Sequence, residues 1–222
     1  LSDGRNGFDT AAIDVRVRPV ATAIDDTGFT VAEDGSITIR VERLLSNDLD
    51  GDRMIVGRVL DATNGTVSMS SDGNIYFTPT ANFNGTATFR YTATTPENGE
   101  AAAKVSIQVT AVNDAPTARG ETIASVAEGS SFVLDPRVLL ANDSDIDGDG
   151  LNVYSVDGNA NVRVSIRSDG MIEVAPTAYF WGAAGFDYTI TDGKGLFATA
   201  HASFTVTPVN DLPVAVDDAV MV

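Results

Sequence analysis

Four aspartates occupy every second position in the stretch Leu139 to Val153: Asp143, Asp145, Asp147 and Asp149. Unit charges about 4 Å apart repel by ~1 kcal/mol in water and by ~4 kcal/mol at an effective dielectric of ~20, so such a loop calls for a counter-charge. A shorter version, Asp48, Asp50 and Asp52, stands in the first half of the chain. Carboxylate and amide oxygens suit hard cations; Ca2+ accepts 6–8 of them with flexible geometry, whereas Mg2+ demands tight octahedral geometry and keeps its waters. Calcium therefore fits these loops better. An EF-hand is excluded: Asp143, Asp145, Asp147 and Gly148 match the start of one, but the twelfth position is Tyr154 instead of Glu, and strand-like sequence flanks the loop. A solvated acidic turn is the plainer account of the same residues, since Asp, Asn and Gly are all turn formers.

The charge balance points the same way. Thirty-one acids against fourteen Lys and Arg give a net charge of −17 over 222 residues, which disfavours nucleic-acid phosphates and anionic lipid and favours cations. There is no cysteine, so disulfides and thiolate metal sites are excluded and the fold must be held by its cores or by ions. No apolar run approaches the ~18 residues of a membrane span and no signal-peptide pattern opens the chain, which reads as a piece of something longer. No nucleophile, base and acid can be assembled. The sole histidine, His201, lies on the outward phase of "ATAHASFTV", whose inward phase is Ala200, Ala202, Phe204 and Val206. The paired acids run as DxD ladders instead of an isolated glycosidase couple. An enzyme is not expected.

The sequence repeats itself. "VNDAPTA" (Val112 to Ala118) returns as "VNDLPVA" (Val209 to Ala215) with an offset of 97, shared by Ser71-Asp72-Gly73 with Ser168-Asp169-Gly170 and by Tyr91 with Tyr188. Before the acid loop the offset is 95, Leu44 to Asp48 matching Leu139 to Asp143, so the loop itself absorbs a two-residue insertion, a cheap place for one. The expected organisation is residues 1–20 as the last strand of a preceding repeat, 21–114 and 115–211 as two full repeats, and 212–222 as the opening of a further one.

Within each repeat the apolar period is two. Ser36 to Val41, Thr66 to Ser70, Asn74 to Pro79, Ala87 to Ala93 and Ala103 to Ala111 alternate, separated by Asn64-Gly65, Asp72-Gly73 and Asn84-Gly85 read as hairpin turns. Strands near Gly28 to Ala32 and Met54 to Leu60 complete seven, with one helical turn at Val41 to Leu45. The expected fold class is all-β, two tandem seven-stranded immunoglobulin/cadherin-like Greek-key sandwiches, with a barrel as the competing arrangement. Strand parity gathers Asn113-Asp114, Asp143 to Asp149, Asp169 and Asp192 at the entry end of the second repeat, and Glu33-Asp34 with Asn82 to Asn84 at the exit end of the first. Oxygen ligands from two repeats would then converge on one junction. Tyr179, Phe180 and Trp181 fall in the loop before the sixth strand; packing over the core end is expected there, with a sugar-stacking surface as the alternative.

Together "VNDAP", "LLANDSDIDGDGL", "FDYTITDGKG" and the 97-residue period resemble the cadherin-like tandem repeats of large bacterial surface adhesins exported by type I secretion, the RTX-type adhesins, although the RTX nonapeptide itself is absent. The resemblance spans essentially the whole chain. It implies an extracellular, cell-surface stalk stiffened by calcium at domain junctions and a role in attachment or biofilm formation. Its partners would be neighbouring repeats, with a host or abiotic surface, glycan or protein bound elsewhere in the parent, and with no nucleic acid and no membrane insertion. It also implies Asn113, Asp114, Asp143, Asp145 and Asp147 as ligands, with Glu33 given by the preceding domain. Arg18-Pro19 replaces Asn113-Asp114 at the first junction, so weaker binding is expected there. The competing reading is an adhesive module that contacts carbohydrate or protein, or a homophilic one.

Overall fold

The computed structural model describes residues 12–14, 22–49, 51–96 and 99–213. Of the orphan strand expected over Thr10 to Val17, residues 12–14 are described and form no strand; the rest of it, Arg18-Pro19, Asp50 and most of the expected following repeat lie outside the described residues. The chain divides into two compact units, Leu1–Val112 and Asn113–Val222.

In the first unit seven strands form where alternation requires them: β1 (Asp26–Ala32), β2 (Ile37–Arg40), β3 (Ile55–Thr63), β4 (Gly65–Met69), β5 (Asn74–Pro79), β6 (Gly85–Thr95) and β7 (Gly99–Thr110). A single helical turn, α1 (Val41–Leu45), follows β2. The strands make two sheets, ordered β1-β7-β6-β3 and β2-β5-β4, with β1 parallel to β7. This is a Greek-key sandwich. The inward residues Ala87, Phe89, Tyr91 and Ala93 of β6 are fully buried, as are Ile75 and Phe77 of β5. They meet as one core, with Phe77 and Phe89 stacked at 6.1 Å.

The second unit repeats the plan: β8 (Glu121–Thr122), β9 (Val126–Ala127), β10 (Phe132–Leu134), α2 (Pro136–Leu139), β11 (Asn152–Asp157), β12 (Val162–Ile166), β13 (Ile172–Pro176), β14 (Gly182–Thr191) and β15 (Phe197–Thr207). Short β8 and β9 both pair in parallel with β15 and are two halves of one interrupted first strand, so seven strand positions recur. The sheets are β11-β14-β15-β8 and β10-β13-β12. Phe186, Tyr188, Ile190, Ala202, Phe204 and Val206 fill the core. His201 points outward as its phase requires, and there its Nδ1 meets Asp187 Oδ1 on the neighbouring strand at 2.7 Å.

Two of the turns differ from the hairpins expected. Asn64-Gly65 joins β3 to β4, and Asn84-Gly85 joins β5 to β6, yet each pair of strands belongs to different sheets. They are corners where the chain crosses the sandwich. The local signal was a true one, since Asn64 takes a left-handed φ of 56° and Gly85 a φ of 127°, but the same backbone bend serves a corner or a hairpin. Only Asp72-Gly73 closes a hairpin, between β4 and β5.

Tyr91 and Tyr188 tie each sheet to its helical turn. Tyr188 Oη lies 2.6 Å from the Arg119 carbonyl and 3.2 Å from that of Leu139, and Tyr91 Oη lies 3.3 Å from the Leu44 carbonyl. Burial pushes the Tyr188 hydroxyl up to about 12, so it stays a donor at any physiological pH. Tyr188→Phe should cost about 1–3 kcal/mol, because buried carbonyls lose their donor while the ring still packs. Urea unfolding followed by circular dichroism should show a lower midpoint at an unchanged slope.

Candidate metal centre

In the second unit the acid loop folds on its own aspartates. Asp145 Oδ1 accepts the backbone N–H of Asp147 at 2.9 Å and of Asp149 at 3.3 Å. Gly148, with φ of 78°, supplies the left-handed residue that turns the chain back between them. One oxygen of each of Asp145, Asp147 and Asp149 comes to lie within 4.8 Å of the others. Three carboxylates at that separation repel strongly unless a cation sits among them.

Two further segments are laced onto the loop. The Asp114 N–H donates to Asp147 Oδ2 at 2.8 Å, and Asn113 Nδ2 donates to Asp192 Oδ2 at 2.6 Å. Asp192 is buried in the turn between β14 and β15, where its Oδ1 accepts the N–H groups of Lys194, Gly195 and Leu196 at 2.7, 3.0 and 3.1 Å. Burial pushes the Asp192 carboxyl up, but the Asn113 amide and these three N–H groups outweigh it and hold the group at about 2. From the same turn Lys194 reaches back, its Nζ 2.7 Å from Asp149 Oδ1.

Around this loop, the buried oxygens without a hydrogen-bond donor among the described residues include Asn113 Oδ1, Asp145 Oδ2, Asp149 Oδ2 and, at the loop's opening, Asp143 Oδ2. An acceptor left so costs on the order of 1–3 kcal/mol, and more when charged. All are acceptors. The local deficit is of positive charge, and an oxygen-binding divalent ion meets it.

The remaining sequence candidates go to other partners. Asp143 Oδ1 accepts the Arg119 N–H at 2.7 Å, and its neighbour Asn142 donates to the Gly120 carbonyl at 3.2 Å. Asp48 and Asn47 do the same one repeat earlier, Asp48 Oδ1 accepting Ile24 N–H at 2.7 Å and Asn47 reaching the carbonyls of Ile24 and Asp25. The Asn-Asp pair that opens each acid loop thus pins the first strand of its own sandwich. Its recurrence at an offset of 95 was the available signal, but a pin and a ligand have the same composition. Glu33 is buried and accepts the Val112 N–H at 2.7 Å, as Glu128 accepts that of Val209 at 3.3 Å. Asp169 pairs with Arg167 at 3.2 Å and accepts Met171 N–H. Asp50, and the side chain of Asp52, lie outside the described residues. Tyr179 and Trp181 do not pack over the core end as expected: both are exposed, and only Phe180 joins the core. Tyr179 takes the left-handed φ that Asn82 takes in the first unit, 62° against 57°, which turns its ring away from the sandwich.

Two sandwiches of this wiring with acid-rich loops have matching families. Residues 112–207 match the cadherin-like domain model and residues 17–108 the bacterial Ig domain model. The second repeat is thus similar to cadherin-like domains and the first to bacterial Ig domains. Domains of these kinds are typically not enzymes. Among solved structures, Drosophila N-cadherin EC1-4 is 15% identical with a TM-score of 0.48, over 83% of this chain and 49% of that one. Human mucin-like protocadherin EC1-2 is 16% identical with a TM-score of 0.46, over 85% and 98%. An endo-fucoidan hydrolase of glycoside hydrolase family 107 is 19% identical with a TM-score of 0.32, over 82% of this chain, which spans only 28% of the hydrolase. No curated protein matches in sequence.

The two cores share one further acid feature. Asp26, at the start of β1, is buried, with Asp48 and the Tyr91 hydroxyl beside it, and Glu121 and Asp143 stand beside Tyr188 in the same way. Burial raises the Asp26 carboxyl from 3.8 to about 6; the Tyr91 hydroxyl opposes this, and Asp48 adds to it. A folded-state value above the unfolded one gives stability that is complete below pH 3.8 and is lost as pH rises through about 6. Asp26→Asn removes the charge at constant shape. In EGTA it should melt like the wild type at pH 4 and should be more stable at pH 7.5, by on the order of 2 kcal/mol. Equal stability at both pH values would mean that Asp26 is ionised without penalty.

Proposed function

We propose that this chain is a calcium-stiffened structural extender, a stalk segment of a secreted bacterial cell-surface adhesin of the RTX type that serves attachment or biofilm formation. The observation that carries the reading is the convergence of Asp145, Asp147 and Asp149 beside buried oxygens that lack donors. Calcium suits that set because every group is a hard oxygen and the ion accepts flexible coordination geometry. Asp145, Asp147, Asp149, Asn113 and Asp114 would hold the ion, the Asp114 N–H also placing the linker against Asp147, and Asp192, proposed with them as a ligand, also holds Asn113 in position. Glu33 and Asp143 join the set on the strength of the resemblance, and Asp48, Asp50 and Asp52 are proposed as the weaker counterpart in the first repeat. The bound ion supplies a charge of +2 in place of mutual repulsion. Neighbouring repeats of the same parent are the proposed partners and the cell exterior the proposed location; among the described residues no helix is long and apolar enough to cross a membrane.

Extracellular modules commonly bind calcium with dissociation constants of about 10⁻⁴–10⁻³ M, so such a stalk would loosen where calcium is scarce and stiffen outside the cell. At a hundredfold excess over Kd, calcium should stabilise the second repeat by ~2.7 kcal/mol. Thermal melting with calcium and with EGTA should show that gain in the wild type and its loss in Asp145→Ala, and small-angle scattering should show an extended profile that loosens on chelation. A melting curve and scattering profile indifferent to EGTA would contradict the proposal.

A second reading has one observation in its favour, the outward-facing Tyr179 and Trp181, 78% and 64% exposed. Aromatic faces of this kind stack on sugars. A glycan screen should stay silent under the extender reading; hits that Trp181→Ala removes would establish an adhesive module instead.

A further inference from the structure

We propose that Lys194 is a built-in competitor for the calcium at the acid loop, an internal counter-charge that holds Asp149 in the metal-free protein and must release it when the ion binds. The inference rests on the calcium reading of that loop and concerns how the site is regulated.

Lys194 is not a wandering surface lysine. Its backbone N–H is fixed 2.7 Å from Asp192 Oδ1, within a turn that spends three N–H groups on that one oxygen. The other oxygen of Asp192 is held by the Asn113 amide. The turn therefore aims the lysine stem at the acid loop, and Nζ arrives 2.7 Å from Asp149 Oδ1. Asp149 belongs to the three-carboxylate group, its side chain is only 15% exposed, and its second oxygen is buried without a donor. A single ammonium cannot satisfy that group: it is a +1 point charge facing three carboxylates, and it reaches one oxygen. A divalent ion bound among the same oxygens would compete with it directly for Asp149.

The sequence repeat carries an independent observation. At the offset of 97 that aligns Tyr91 with Tyr188, Lys194 corresponds to Glu97. One position of the repeat therefore carries opposite charges in its two copies. A residue needed simply to shape the turn would not invert its charge, whereas a residue that sets the cation affinity of its own loop could.

The lysine thus does two opposed things. It relieves repulsion in the metal-free loop, which keeps that loop formed, and it raises the calcium concentration needed to fill the site. The test is a calorimetric calcium titration of the whole chain as wild type, Lys194→Met and Lys194→Arg, with Asp145→Ala identifying the transition that belongs to this loop. Lys194→Met should tighten that transition about fivefold and lower the melting temperature in EGTA, while Lys194→Arg stays near the wild type. A role confined to shaping the turn would predict the reverse, a weaker or unaltered Kd in Lys194→Met. If the wild type binds and Lys194→Met binds no more tightly, the competitor role is overturned and the calcium site stands. If Lys194→Met alone binds, the competitor role is supported in its strongest form. Binding by neither protein would overturn the calcium reading together with this inference.

Discussion

Carboxylate oxygens only accept. Every arrangement at the entry end of the second sandwich follows from the need to give such oxygens something positive. Backbone N–H groups serve first: Asp145 takes two from its own loop, Asp192 takes three from its own turn, and Asp147 takes one from the linker. Those bonds shape three separate segments into one cradle. They leave oxygens on Asp145, Asp149 and Asn113 without a donor, and a cation would satisfy these. The lysine that reaches Asp149 is the protein's own partial answer.

The same constraint explains why the acids are not equivalent although they look alike in sequence. Asp48 and Asp143 sit at the start of their loops, next to the incoming first strand, and their oxygens meet the N–H groups of Ile24 and Arg119. The parallel pairing of β1 with β7 and of β8 with β15 brings each incoming segment alongside its loop. The core tyrosines close the arrangement from below, Tyr188 against the Arg119 and Leu139 carbonyls and Tyr91 against that of Leu44. The acids further along the loop, Asp145, Asp147 and Asp149, instead come together as one group.

Much of this was legible in the sequence. Period-two alternation marked the strands because one face of each packs in the core: Ala103, Val105, Ile107 and Val109 are all buried along β7. The turn at Val41 to Leu45 falls where the alternation stops. The corners at Asn64 and Asn84 were read as hairpins because a left-handed residue reports the local bend and not which strand comes next. In the site, DxDxDxD spacing marked the loop, but a ligand and a backbone acceptor have the same side chain, so the separate use of Asp143 was hidden. Lys194 was passed over for a different reason. Its distance in sequence from Asp149 is large, and only the pairing of β14 with β15, with β11 beside them, brings the turn to the loop.

The account treats the chain as a spacer whose stiffness is set by ions held on acid loops, with the sandwiches supplying rigid scaffolds. Its central claim is that a divalent cation binds among Asp145, Asp147 and Asp149. The most direct measurement is anomalous diffraction from crystals grown in millimolar calcium. The account predicts an anomalous peak about 2.3–2.6 Å from oxygens of those three aspartates, with Lys194 displaced from Asp149. A map with no peak at that loop, and with Lys194 still seated on Asp149 at saturating calcium, would contradict it.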